Sequence, residues 1–330
     1  MSLRYADPFD FWTSFLGTFS SGTNGTISGG ALTINITTAP GTGLTKVLDA
    51  QNKWIFNFTY NYTSGSNINI INVLDGSTVQ CSLVMESSGQ LSFYRGLHSG
   101  TKISSDSSTV LVGGRTYDIE VEITLGNTGS CKAWINGNLE INATSVDNTA
   151  TSNNTADRFR IGPAGSSFTT FSLGHLIAMD GQGSNMNGPI GPVNVQSHTP
   201  TSDGNYTTWT PNTGTRYQAV DETNPNGNTD YVAASSVGDK ITFGFSDSAS
   251  SVTNIIGVGV WVNAARDDAT TRGFKVLTRN GTTDVLGSNE SFVGPSYDYY
   301  FSPFEISPFS SLAWSKSEFD ATEWGAEVTT

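Results

Sequence analysis

Residues 117–141, YDIEVEITLGNTGSCKAWINGNLEI, constrain the fold of this chain more than any other stretch. From Tyr117 to Leu125 apolar residues alternate strictly with acidic or polar ones. This period of two predicts an antiparallel strand with one buried face and one face of carboxylates in solvent. The GNTG sequence then predicts a turn, and Asn136-Gly137 predicts a type I′ hairpin because both residues tolerate a positive φ. We therefore expect a three-stranded meander in the middle of a sheet.

The rest of the first half is predicted to consist of short strands joined by polar turns. Charged residues make up only 14% of the sequence and glycines number 36, which favours strands and turns over helices. Aromatic residues, at 11%, supply a hydrophobic core, so the low charge does not indicate disorder. Regular strand spacing without a helical period indicates a β-sandwich. The segments that predict strands are residues 31–37, 54–62, 67–74, 79–85, 90–94, 109–111, 157–162 and 168–180.

A change in composition divides the chain. Residues 182–193, QGSNMNGPIGPV, have the Gly, Pro and Asn density of an interdomain linker. Beyond it, residues 254–264 are apolar on both alternations, which predicts a central strand covered on both sides, with close backbone approach at Gly257 and Gly259. Asn280-Gly281 predicts a second type I′ hairpin. We therefore predict an all-β protein of two β-sandwich domains, at residues 1–185 and 186–330.

The charge balance argues against several classes of partner. The sequence has 16 Lys and Arg against 29 Asp and Glu, a net charge of −13, and no basic cluster. Nucleic acid and an anionic membrane surface are therefore not expected as partners, since Lys and Arg dominate the binding of both. The longest apolar run, residues 255–262, is far shorter than the roughly 20 residues that span a bilayer, so no membrane insertion is expected.

Two cysteines, Cys81 and Cys131, are too few for a disulfide-based scaffold. Both fall in predicted strands, so we expect two buried thiols in preference to a bridge. The sequence does not decide whether they pair.

The first half of the chain resembles a known fold family. The segments YDIEVEITL, KAWINGNLE, RFRIG and LGHLIAMD look like the late strands of the concanavalin A-like lectin/glucanase fold, which laminin-G-type domains share. Asn136-Gly137 stands where that family has a hairpin after an apolar-aromatic strand, and Asp180 stands at the acidic end of its last strand. The resemblance implies that the first domain is a concanavalin A-like jelly roll.

The second half resembles a recurring domain of bacteriophage virion proteins. The aromatic start of the chain, FDFW at residues 9–12, is also familiar in such proteins, so the resemblance extends over nearly the whole chain. The matching pieces of the second half are Pro200 to Gly204, Trp209 to Pro211, Ala219 to Glu222, Thr229 to Val232, Ala265 to Asp268, and a Pro308/Trp314 segment followed by Trp324-Gly325.

That second resemblance implies a virion structural protein and carries no catalytic residues with it. We accordingly expect a non-enzymatic protein on the virion surface, a tail-associated fibre or appendage in preference to a head (capsid) decoration protein. Its expected partners are other virion proteins and a host-surface glycan, and it is expected to be a homo-oligomer.

A polysaccharide-degrading enzyme is the alternative from a different class. Asp118, Glu120 and Glu122 lie on one predicted strand face, and residues two apart on a strand are roughly 6–7 Å apart, which suits a general acid and base. The glucanases of this fold, however, place Asp between two Glu, whereas here Asp leads. Lys132 on the next strand is a candidate to pair with these carboxylates. We therefore expect a solvated outer face and no catalytic residues.

The candidate binding residues are aromatic side chains in polar sequence and aspartates. Trp209, Tyr297, Tyr299 and Tyr300 lie in polar, turn-rich sequence, where their rings could stack on a sugar or pack against a neighbouring subunit. Ordinary core packing is the alternative for all four. No metal-binding pattern is present, and no cofactor is expected. Calcium is a weaker candidate by residue type, at Asp75, Asp180, Asp267 and Asp268.

Overall fold

A computed structural model describes residues 2–9, 25–28, 31–36, 41–165, 169–222, 224–268, 270–292 and 294–330. These residues are almost entirely strands and turns, which confirms the predicted all-β fold. The chain divides into two compact units, Met1–Val195 and Gln196–Thr330, so the division falls later than the predicted one after residue 185. None of the described helices combines the length and the apolar character needed to cross a lipid bilayer.

The described strands of the first unit lie between Leu3 and Asp180, and the predicted strand at residues 109–111 is not among them. Their bounds are β1 Leu3–Asp7, β2 Gly25–Ser28, β3 Ala31–Ile36, β4 Gly41–Gln51, β5 Lys53–Ser64, β6 Ile68–Asp75, β7 Thr78–Met85, β8 Leu91–Arg95, β9 Thr101–Lys102, β10 Tyr117–Thr124, β11 Gly129–Ile135, β12 Asn138–Val146, β13 Ala156–Gly165 and β14 Thr169–Asp180.

These strands form two antiparallel sheets. The described part of one sheet has eight strands, in the order β12-β11-β10-β5-β14-β3-β2, with β1 also paired to β14. The other has six, in the order β4-β13-β6-β7-β8-β9. Phe56 of the first sheet and Phe159 of the second pack edge to face at 5.4 Å and are fully buried. The two sheets therefore enclose one hydrophobic core, as in a β-sandwich.

The predicted meander is the β10-β11-β12 part of the larger sheet. Ile119, Val121 and Ile123 are fully buried on its inner face, as their alternation predicts. Asn136 and Gly137 have φ angles of 50° and 79°, which confirms the two-residue hairpin between β11 and β12. Its first strand, β10, lies between β11 and β5, so the carboxylates on its outer face have neighbours on both sides.

The second unit has a five-stranded sheet in its described residues, in the order β15-β18-β23-β20-β21, and two separate strand pairs, β16-β17 and β19-β22. The bounds are β15 Pro200–Thr207, β16 Thr210–Pro211, β17 Val232–Ala233, β18 Lys240–Phe245, β19 Val258–Ala264, β20 Gly273–Asn280, β21 Thr283–Ser291, β22 Asp298–Phe304, α1 Lys316–Asp320 and β23 Thr322–Val328, with a 3-10 turn at Tyr217–Ala219.

An aromatic cluster forms the core of the second unit. Phe304, Trp314 and Trp324 are at most 7% exposed, and the ring centroids of the two tryptophans are 5.6 Å apart. Trp314 Nε1 donates to the Phe304 carbonyl at 2.9 Å, so the buried indole N–H has an acceptor.

Two local predictions for this unit need correction. Among the described strands β19 pairs only with β22, so it is not a central strand. Its second apolar face carries Trp261, which packs on Phe301 of β22. The predicted approach at Gly259 is confirmed, since a Cβ there would lie 2.4 Å from Phe301. The second hairpin forms, but its turn residues are Gly281 and Thr282, and of these only Gly281 has a positive φ.

Candidate functional site

The outer face of the eight-stranded sheet gathers polar side chains from three adjacent strands. Glu120 of β10 lies opposite Asn57 of β5 on one side and opposite Trp134 of β11 on the other. Two residues along, Glu122 lies opposite Lys132 of β11. These positions follow from the period of two, since every second residue of a strand projects from the same face.

His175 of β14 joins this group through an irregularity in its strand. The pairing of β14 with β5 shifts between Leu173 and Leu176. At that β-bulge the His175 ring points to the outer face, and its Nε2 lies 2.9 Å from Asn57 Oδ1. Asn57, Glu120, Glu122 and His175 are called the outer-face cluster below.

A segment beyond the last strand of the unit covers this cluster. Residues 183–192, called the strap, belong to the first unit and lie against β5 and β10. The N–H groups of Ile190 and Gly191 donate to the two carboxylate oxygens of Glu120 at 2.6 and 3.1 Å. Asn57 Nδ2 donates to the Gly191 carbonyl at 2.8 Å, and Lys53 Nζ donates to the Asn187 carbonyl at 3.0 Å. The sequence predicted a linker here, but these ten residues dock on the sheet.

The predicted solvated outer face is therefore wrong for two of its three carboxylates. Glu120 is 4% exposed and Glu122 is 6% exposed, whereas Asp118 is half-buried. The strap covers Glu120, while the side chains of Lys53 and Lys132 close over Glu122. The predicted pairing of Lys132 is confirmed, since its Nζ lies 2.9 Å from Glu122 Oε1.

The environment of Glu120 favours the protonated carboxyl. Burial raises the pKa of Glu120, and the negative charge of Glu122 acts in the same direction. The hydrogen bonds from Ile190, Gly191 and the Asn57 amide favour the carboxylate, but they do not outweigh burial. Glu120 is thus a carboxyl group that keeps its proton to a higher pH than an exposed glutamate.

The environment of Glu122 has the opposite net effect. Burial is the largest single influence and by itself would raise the pKa of Glu122. The hydrogen bonds and positive charges of Lys132 and Lys53 together outweigh it and hold the pKa below its usual value. Both lysine nitrogens lie 2.9 Å from a carboxylate oxygen. The two glutamates of one strand face are therefore tuned apart.

His175 is a neutral imidazole inside this group. Burial lowers the pKa of His175 from 6.5 to about 4, and the side chain is 3% exposed. Since Asn57 Oδ1 is an acceptor, the hydrogen-bond network assigns the ring proton to Nε2. His175 thus orients the Asn57 amide, whose NH₂ group donates to the strap. It is a buried strand residue whose ring has a hydrogen-bond partner.

The space between the strap and the sheet is small. The crevice there, lined by Asn57, Asp118, Glu120, Trp134 and Pro192 among others, has no room for a water molecule. Ligand pockets are typically about 300–1,000 Å³, so the crevice does not accommodate a saccharide while the strap is in this position.

The aromatic residues predicted to bind a glycan or a partner have different surroundings in the second unit. Trp209 donates from Nε1 to the Asp239 carbonyl at 3.2 Å and packs against the aromatic core. Tyr300 packs against the same core. Tyr297 is 37% exposed, with its hydroxyl 3.1 Å from Asn228 Oδ1, and Tyr299 is half-buried. A binding role for these four residues stays a prediction.

Three of the acidic residues considered for calcium have protein partners of their own. Asp180 is fully buried and pairs with Arg4, Asp75 accepts from Asn153, and Asp268 pairs with Arg272 in the second unit.

Calcium binding by these residues and by Asp267 stays a prediction. No group of three or more His, Cys, Asp or Glu side chains suited to a metal ion occurs within the described ranges.

No protein-family model matches the sequence, and a search of curated proteins found no match. Solved structures do resemble it. They include a sialidase of Trypanosoma rangeli (11% identity, TM-score 0.36), an alginate lyase (14%, 0.34) and an endo-β-1,4-glucuronan lyase of the fungus Trichoderma reesei (12%, 0.41). The matches cover 48%, 51% and 54% of this chain, and 26%, 88% and 95% of those proteins.

These comparisons overturn one prediction. The sequence predicted a non-enzymatic protein, whereas the structures that resemble this chain are a sialidase and two polysaccharide lyases, all of them enzymes. The expectation that the chain has no enzymatic activity is therefore corrected. At these identities and TM-scores the likenesses assign neither a substrate nor a residue to this chain, so the choice of an activity depends on the geometry of the outer-face cluster.

Proposed function

We propose that the first unit is a glycan-cleaving domain in which Glu120 is the general acid and Glu122 the general base. One observation carries the proposal: two glutamates on the same strand face, two residues apart, have pKa values moved in opposite directions. Cleavage of a glycosidic bond by hydrolysis needs this division, a carboxyl that holds a proton and a carboxylate that accepts one.

The spacing favours hydrolysis with inversion at the anomeric carbon. Residues two apart on a strand are roughly 6.6 Å apart, close to the separation of about 6.5–9.5 Å that leaves room for a water molecule between an acid and a base. Glu120 would donate its proton to the glycosidic oxygen as that bond breaks. Glu122 would take a proton from the water that attacks the opposite face of the sugar.

Substrate access requires the strap to leave the sheet. The Ile190 and Gly191 N–H groups hold both oxygens of Glu120, so a glycosidic oxygen reaches this carboxyl only after these two bonds open. We therefore propose a closed state, which the structure describes, and an open state in which Asn57 and Trp134 face the substrate. In the open state the bound glycan would replace the strap over Glu120, so that the carboxyl stays buried and its pKa stays raised. Trp134 lies opposite Glu120 on β11 and would offer an aromatic surface to a sugar ring.

The test is glycan release by the purified chain and by Glu120→Gln and Glu122→Gln variants. Neutral and uronic-acid polysaccharides would be incubated with each protein, with new reducing ends, unsaturated ends and the anomeric configuration of the first product recorded. Either variant should lower release by at least about 100-fold, the usual contribution of a general acid or base. Glu290→Gln, which changes a carboxyl of the second unit whose pKa burial also raises, is the matched control.

Three results would contradict the proposal. They are glycan release that both glutamine variants retain, products with unsaturated ends, and no release from any polysaccharide by a variant in which the strap is opened, such as Gly191→Ala. Unsaturated ends would indicate elimination at a uronic acid in place of hydrolysis.

The location of the protein is a separate proposal that rests on the phage resemblance of the second half. We propose that the chain lies on the outside of a virion, on a tail fibre or appendage, where a glycan-cleaving unit would meet the host surface. Labelling intact particles with antibodies against the chain distinguishes the tail from the head. Labelling spread evenly over the capsid would favour a head decoration protein, and unlabelled particles would refute both.

A further inference from the structure

The two cysteines of the chain meet in the core of the first unit. Cys81 lies on β7 of the six-stranded sheet and Cys131 lies on β11 of the eight-stranded sheet. Both are fully buried free thiols, and their sulfur atoms are 3.6 Å apart. Each cysteine is therefore the nearest reactive partner of the other, across the space between the sheets.

The surroundings hold both sulfurs in place. Cys81 pairs in its sheet with Val73 and Arg95. On the other side, the fully buried Asn148 donates from Nδ2 to Cys131 Sγ at 3.3 Å and to the Thr124 carbonyl at 2.9 Å. The hydrogen bond to Cys131, followed by burial, raises the pKa of the Cys81 thiol. The sulfurs are thus aligned with each other and protected from solvent.

We propose that Cys81 and Cys131 form a disulfide that joins the two sheets of the first unit. A disulfide has a sulfur–sulfur distance of about 2.0 Å, so formation of the bond requires the sulfurs to approach by roughly 1.6 Å. The oxidant is a low-molecular-weight disulfide such as oxidised glutathione, and exchange occurs while the chain folds, before the sheets close over the sulfurs.

The reaction takes place in two exchange steps. The thiolate of one cysteine attacks the small disulfide, which forms a mixed disulfide and releases one small thiolate. The thiolate of the second cysteine then attacks the sulfur of the first, which forms the bond between Cys81 and Cys131 and releases the second small thiolate. The two protons of the protein thiols end on the two released thiols, and two electrons pass from the protein to the oxidant.

The bond would stabilise the unit by closing a loop. Cys81 and Cys131 are 50 positions apart, and β8, β9 and β10 lie between them. Constraining a loop of this length in the unfolded chain lowers the unfolding equilibrium constant by about a thousandfold on the chain-entropy model. The effect does not depend on the proposed glycan cleavage, because the sulfurs are on the inner faces of the sheets.

The test is mass spectrometry of the whole chain after refolding in oxidised and reduced glutathione, with free thiols alkylated under denaturing conditions. The expected product lacks two hydrogens, carries no alkyl group, and yields one cross-linked peptide pair containing Cys81 and Cys131. It should also unfold at a higher urea concentration than the reduced protein. Cys81→Ala and Cys131→Ala are matched controls, and each should retain one cysteine that is alkylated or bound to glutathione.

Full alkylation of both cysteines in the oxidised sample would overturn the proposal. So would glutathione retained on both, since it would mean that the two sulfurs do not reach each other. Because the measurement is made on the unaltered chain, it remains decisive if an alanine variant fails to fold.

Discussion

Replacing Gly191 with alanine should open the strap without disturbing the sheet beneath it. Gly191 has a φ of 74°, a left-handed conformation that disfavours residues with a Cβ. A methyl group added at this position would meet nothing within 4 Å, so the expected cost is backbone strain alone. That strain is about 1–2 kcal/mol. It applies to the closed strap, because the open segment is free to adopt another φ.

The measurement is amide hydrogen exchange at Ile190. Its N–H donates to Glu120 in the closed strap, so it exchanges when the strap opens. A cost of one or two kcal/mol corresponds to a factor of about 5–30 in the opening equilibrium, and exchange should accelerate by that factor in Gly191→Ala. If glycan cleavage requires the open state, release should rise in the same variant, up to the point at which most molecules are open.

Gly188→Ala provides the matched control. Gly188 is also in the strap, and a methyl group added there would also meet open space, but its φ is not in the left-handed range. Alanine there should leave Ile190 exchange unchanged or slow it slightly, since it reduces the freedom of the open segment. Equal exchange of Ile190 in the two variants would refute the reasoning, because it would show that Gly191 does not limit closure.

Two further predictions concern charge in the outer-face cluster. The pKa of His175 falls from 6.5 to about 4 on folding, so its contribution to stability is present above pH 6.5 and is lost as the pH falls through 4. Between about pH 7.5 and about pH 4.5 that loss is about 2–3 kcal/mol. Urea titrations of His175→Gln should lack this part of the pH dependence, and an unchanged slope would contradict the prediction. Lys132→Met removes one of the two cations at Glu122, so the pKa of Glu122 should rise and the acidic limb of any glycan-release profile should move to higher pH. Lys102→Met, at a distant carboxylate cluster on β9, should not move that limb.

The alternation of β10 was sufficient to predict its buried face, and the GNTG and Asn136-Gly137 turns after it were sufficient to predict the meander with β11 and β12. These features depend on residues within about one strand length of each other, where a period of two and a turn dipeptide are reliable signals. The hydrogen bond between His175 and Asn57 was not predictable, since the two are 118 positions apart.

The burial of Glu120 and Glu122 was not predictable from the same pattern. Alternation identifies which residues share a face, but it does not indicate what covers that face. Here the cover is a Gly- and Pro-rich segment 70 positions beyond Glu120 whose composition is also that of a flexible linker. Its contacts are made by backbone N–H and C=O groups, which leave no trace in the side-chain sequence. The pKa difference between the two glutamates follows from this cover and from Lys53, so the sequence could not show it either.

A structural role would also explain Glu120, and variants that loosen the strap distinguish that role from the catalytic one. Each oxygen of the carboxylate accepts one strap N–H, so an anchor for the strap would by itself account for a glutamate at this position. An anchor predicts that Glu120→Gln and Gly191→Ala act alike, because both weaken closure and neither removes a chemical group that the substrate needs. A general acid predicts opposite results: Gly191→Ala raises glycan release while Glu120→Gln abolishes it, although Ile190 exchange accelerates in both. The direction of release in two variants with the same loosened strap therefore decides what Glu120 does.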